Sequence, residues 1–134
     1  MDDQERRIEK IVGTDCERTE VTALKYMKYL SSSLQYPCLL TGVEDFPWEE
    51  RYILGGGSKK EYQQLKKENP SYTDKYELIE LLEPEDDMFE ILAKVKRIAD
   101  KKLFQIGLSW LESTDKKDCN YQLLNDYSVW HINY

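Results

Sequence analysis

Residues 42–50 read GVEDFPWEE, which sets Glu44, Asp45, Glu49 and Glu50 around a Phe-Pro-Trp wedge with only one base, Arg51, close by. Crowded carboxylates repel one another, and a divalent cation that neutralises them lowers the cost of ordering the loop. Calcium suits such a stretch because it takes about six to eight oxygen ligands from carboxylates, amides, backbone carbonyls and water. Pro47 restricts the backbone between the two acidic pairs, while Phe46 and Trp48 can anchor the loop so that its acids start partly organised. A solvated acidic turn above two buried aromatics fits the same residues, and the stretch alone leaves both readings open.

Two further loops offer oxygen donors. In 83–87, EPEDD, the candidates are Glu85, Asp86 and Asp87, and in 115–126 they are Asp115, Asp118, Asn120, Asn125 and Asp126. Both loops are also ordinary turn chemistry. The EF-hand pattern D-x-[DN]-x-[DN]-G-x₅-E is absent. The metal-ligand set read from these loops is Glu44, Asp45, Glu49, Glu50, Asp86, Asp87, Asp115, Asp118 and Asp126. Its main site lies at 44–50 and is completed in space by acids from the other two loops.

Other chemistries have weaker footing. The only histidine, His131, reads as part of a C-terminal strand, where a lone His is more often structural than catalytic. No GxSxG, HExxH or Walker spacing occurs, although GGGS at 55–58 precedes a helix and could hold an anion there. Paired acids could hydrolyse a glycoside, but the carboxylate separation that sets that chemistry is not readable from sequence. A binding protein rather than an enzyme is expected.

The elements that must position these residues follow from periodicity. Residues 4–12 and 19–34 read as helices, the second with a stripe of Val21, Leu24, Met27, Leu30 and Leu34 and a cap at Thr14 or Asp15. Short strands are expected at 38–43 and 51–54. Ser58 and Glu61 fit a capping box for a helix that stops before Pro70. Strands follow at 75–82, 89–96 and 103–111, the last two forming a hairpin by their alternation. A helical turn at 121–127 and a final strand at 128–133 end the chain. The fold class is α+β, with N-terminal helices packed on a strongly bent antiparallel sheet or small open β-barrel. A single domain over 1–134 is expected, with a helical region at 1–35 and a β-rich, calcium-binding region at 36–134.

Composition narrows the partners. A net charge of −7 argues against nucleic acid or an anionic membrane as the main partner. No apolar run is long enough for a membrane span, and MDDQERRIEK has no signal-peptide core. Cys16, Cys38 and Cys119 are odd in number and widely spaced, which suits reduced thiols and a cytoplasmic location. A monomer is expected.

GVEDFPWEE, ENPSYTDKYEL and NYQLLNDYSVWHIN together resemble the cyanobacterial calcium-binding protein family of the CcbP type, over roughly residues 36–134. The resemblance implies a small acidic cytoplasmic protein that binds Ca2+ without an EF-hand. Such proteins buffer or sequester calcium and shape calcium signalling in cells that form heterocysts. The alternative is a small-barrel interaction module whose acidic surface docks a basic protein partner.

Overall fold

The computed structural model describes residues 2–134. Helix α1 (Asp3–Val12) begins at Asp2, whose side chain accepts from the Glu5 amide at 2.8 Å, and it buries Ile8 and Val12. Helix α2 (Glu20–Ser33) is capped not at Thr14 or Asp15 but at Thr19. There the Thr19 and Thr22 hydroxyls reciprocally accept from each other's backbone amides, at 2.8 and 3.1 Å. The helix is also turned from the expected stripe. Ala23, Tyr26 and Leu30 face the core, whereas Val21 is 64% exposed. The buried face keeps the three-to-four-residue period but centres on Tyr26, whose ring buries more area than Val21 could.

Five strands form one open antiparallel sheet: β1 (Leu39–Gly42), β2 (Lys75–Leu82), β3 (Leu92–Arg97), β4 (Leu103–Gly107) and β5 (Leu111–Ser113). Their order is β4-β3-β2-β1-β5, so β4 and β5 are edges and no barrel closes. The β3–β4 hairpin matches its alternating sequence, pairing Val95 with Phe104 and Ala93 with Ile106. Helix α1, α2 and the C-terminal helix α5 (Cys119–Asn133) complete the core with Tyr26, Tyr127 and Trp130, all fully buried.

Two expected strands are helical. Residues 51–54 belong to a 3-10 turn at Pro47–Glu49 continued by the short helix α3 (Glu50–Ile53). Pro47 stands at the first helical position, where its fixed φ favours entry and its missing N–H costs nothing. Residues 128–133 continue α5 without a break. The helical period runs through the segment, with Asn120, Leu124, Tyr127 and His131 on one buried face. Helix α4 (Lys59–Glu68) starts at Ser58 and stops before Pro70 as the sequence indicates. Only half of the capping box forms, because the Glu61 carboxylate accepts from the Tyr52 hydroxyl at 2.9 Å instead.

Candidate metal centre

The acidic stretch at 42–50 is stitched to the segment after α4. Gly42 donates to the Tyr72 carbonyl at 3.0 Å, and a Cβ at Gly42 would sit 2.5 Å from the Tyr72 backbone. Trp48 donates from its indole to the Pro70 carbonyl at 2.6 Å, and Phe46 packs edge-on against Trp110. The two aromatics anchor the loop, as the sequence suggests.

The carboxylates divide into two groups. Glu49 is fully buried, and its oxygens accept from Tyr62 Oη at 2.6 Å, Ser71 Oγ at 2.9 Å and the Tyr72 amide at 2.8 Å. Glu44 and Glu50 are exposed and Asp45 is half-buried, and none of the three carboxylates makes a hydrogen bond or ion pair among the described residues. The loop therefore presents three free carboxylates rather than four.

The 115–126 acids are largely occupied by the fold. Asp118 caps α5, and Asp115 closes a turn by accepting from the Lys117 amide at 2.9 Å. Asp126 is buried and receives Arg7 in a two-point contact at 2.7 and 3.0 Å, with Gln4 at 2.9 Å, which docks α1 on α5. Asn120 forms a two-way pair with the Gln35 backbone at 2.9 and 2.8 Å. These residues of NYQLLNDYSVWHIN do architectural work.

The connection between β2 and β3 differs. Glu83, Glu85, Asp86 and Asp87 line a cleft of about 210 Å³ that is completed by Glu20 from the first turn of α2, with Leu24, Pro84 and Phe89 as apolar wall. No Lys or Arg lines it. Asp86 is oriented by the Met88 amide, which donates to it at 3.1 Å. The other four carboxylates have no hydrogen-bond or ion-pair partner among the described residues. Among the described residues, no three His, Cys, Asp or Glu side chains stand close enough together to hold a metal as they lie. The oxygen chemistry of the cleft suits calcium, and a modest inward turn of exposed side chains would be needed to chelate it.

Glu20 escapes sequence reading because it lies far along the chain from the other acids and joins them only through tertiary packing. Glu83 and Glu85 belong to a visible acidic run, yet nothing in that run singles out the wall opposite.

Beyond Asp86, the same segment enters the interior. Glu90 is buried, accepting from Tyr127 Oη at 2.5 Å, from the Ser109 amide at 2.9 Å and from the Ser109 hydroxyl. His131 Nε2 lies 3.5 Å from Glu90. Burial pushes the His131 imidazole below its ordinary pKa, which favours the neutral ring.

No protein-family model matches the chain, and no curated protein matches it. Among solved structures it is similar to Anabaena CcbP, at 20% identity over 95% of this chain and 87% of that one, with a TM-score of 0.59. The chain has the CcbP fold. It is similar to a second solved structure, a calcium-binding protein in its calcium-binding form, at 21% identity with the same coverage and a TM-score of 0.57. The match spans 95% of the chain, more than the sequence resemblance over residues 36–134 covers. No helix among the described residues is long and apolar enough to cross a membrane.

Proposed function

We propose that this protein is a non-EF-hand calcium-binding protein, with its principal cation site in the cleft between Glu20 and the Glu83–Asp87 connection. The observation that carries the reading is a base-free cleft of five carboxylates, four of them without protein partners, on a fold shared with a protein solved in a calcium-binding form. Asp86, held by its own turn, serves as the fixed ligand, while Glu20, Glu83, Glu85 and Asp87 supply mobile ones. Backbone carbonyls and water fill the remaining positions. The role is binding rather than catalysis: a cytoplasmic calcium buffer or signalling protein, in the manner of proteins that act during heterocyst formation. Sensor-like sites suggest a dissociation constant of ~10⁻⁶ to 10⁻⁵ M.

A thermal melt of metal-stripped protein tests the binding itself. At calcium about 100-fold above the dissociation constant, mass action adds about 2.7 kcal/mol, a rise of roughly 10 °C for a chain of this size. Magnesium, which demands tight octahedral geometry and sheds water reluctantly, is expected to give a much smaller rise. Equal small rises with both ions would leave an acidic surface and no calcium site.

A further inference from the structure

The segment 86–90 separates two concavities. Asp86, Asp87 and Phe89 face the acidic cleft, whereas Met88 faces a different cavity of about 340 Å³ between α5, the β4–β5 connection and the 42–50 loop. The second cavity has a composition unlike the first. Its apolar surface comes from Trp110 and from Val43, Met88 and Ile132, which are 49%, 53% and 68% exposed at its rim. Its charged walls are one acid and one base, Glu44 and Arg18. A concave apolar surface with a few polar groups of defined position is the usual composition of a small-molecule site.

The polar groups there have unused capacity. His131 is 8% exposed, lines the cavity, and its Nδ1 is buried with no hydrogen-bond partner among the described residues. The Trp110 indole N–H has no protein acceptor among them, in contrast to Trp48 and Trp130, which donate to backbone carbonyls. Arg18 spends one N–H on the His131 carbonyl and keeps the rest of its guanidinium free among the described residues. Glu44 has no partner there either. Polar side chains at a cavity wall that the protein leaves without partners are available to a ligand.

We propose that this cavity binds a small amphipathic zwitterion, an α-amino acid with an apolar side chain, whose ammonium pairs with Glu44, whose carboxylate pairs with Arg18, and whose side chain lies against Trp110, Met88 and Ile132. The cavity's one acid and one base match the two opposite charges of such a ligand. The Trp110 N–H supplies one further donor. The site is distinct from the proposed calcium cleft and shares none of its carboxylates.

The test is a ¹H–¹⁵N titration of the full chain in chelator, followed at the Trp110 indole resonance, with L-leucine and L-phenylalanine as probes. Two half-molecules serve as controls: 4-methylpentanoate, which lacks the ammonium, and isoamylamine, which lacks the carboxylate. The expected result is a saturable shift for the amino acids and binding about tenfold weaker or worse for each half-molecule, since each loses one charge-assisted contact. Glu44→Gln, at an exposed and unpaired position that folding does not depend on, is expected to weaken leucine about tenfold and leave 4-methylpentanoate unchanged. Arg18→Gln is expected to weaken leucine about tenfold and leave isoamylamine unchanged, and the Glu44→Gln result stands if that variant fails to fold. No saturable shift with either amino acid, or equal binding of both half-molecules in the Glu44→Gln variant, overturns the proposal. So does displacement of leucine by calcium, which would assign Glu44 to the cation.

Discussion

Glu49→Ala is expected to lower folding stability by about 3–5 kcal/mol, a large part of the roughly 5–15 kcal/mol that holds a domain together. Removing this carboxylate leaves the Tyr62 and Ser71 hydroxyls and the Tyr72 amide without their acceptor in the interior. It also removes the link that fastens the 42–50 loop to the chain after α4. Glu49→Gln keeps the volume but turns an N–H₂ toward those donors, so a smaller loss of about 2 kcal/mol is expected. Urea unfolding of both variants measures this, with calcium binding in the folded protein unchanged. Were Glu49 a calcium ligand, Glu49→Gln would instead hold its stability within about 0.5 kcal/mol and lose calcium.

Arg97→Met is the second large effect, with an expected loss of about 3–5 kcal/mol by urea unfolding. Arg97 is 4% exposed and donates to Asp100 at 3.0 and 2.8 Å, to Asp74 at 3.0 Å, and to the carbonyls of Lys66, Lys67 and Asn69. It ties the C-terminal end of α4 to the β3–β4 hairpin, with its guanidinium 5.0 Å from the Phe104 ring. Met fills the stem but leaves the Lys66 and Asn69 carbonyls without their donor, and takes one donor each from the Lys67 carbonyl and from Asp74. Arg97→Lys should recover little, because a point charge cannot reproduce a planar fork that serves six acceptor atoms on five residues. The same contact has a pH signature. Hydrogen bonds from Arg97 hold Asp100 at about 2, below its ordinary 3.8. A carboxyl depressed on folding contributes stability above its unfolded value and loses that contribution as pH falls through the folded one. Wild type should therefore lose stability between about pH 4 and 2 more steeply than Arg97→Met.

What the sequence revealed depended on how local the cause was. The β3–β4 hairpin was legible because the period-two alternation of both strands lies within one short stretch. Helix α4 was legible from Ser58 and Pro70. The strand assigned to 128–133 failed because a six-residue segment cannot compete with a helical face running from Asn120 to His131. Loop 42–50 was read correctly as anchored by Phe46 and Trp48. The fate of its acids was not legible, since the donors that engage Glu49 come from 13, 22 and 23 residues away. Charge crowding shows that acids are near one another in the chain. It does not show which of them the fold will occupy, nor that Glu20 will arrive from α2 to face Asp86 and Asp87.

On the proposed reading, calcium sits at the cleft of Glu20 and the 83–87 connection and not at the 42–50 loop. Titration calorimetry on metal-stripped protein tests it most directly, comparing wild type with two triple variants. Glu20→Gln/Asp86→Asn/Asp87→Asn should weaken calcium by about 100-fold or abolish its heat, as loss of three carboxylates from one oxygen site requires. Glu44→Gln/Asp45→Asn/Glu50→Gln should bind calcium as wild type does. The reverse pattern, or no calcium heat in wild type, would contradict the account.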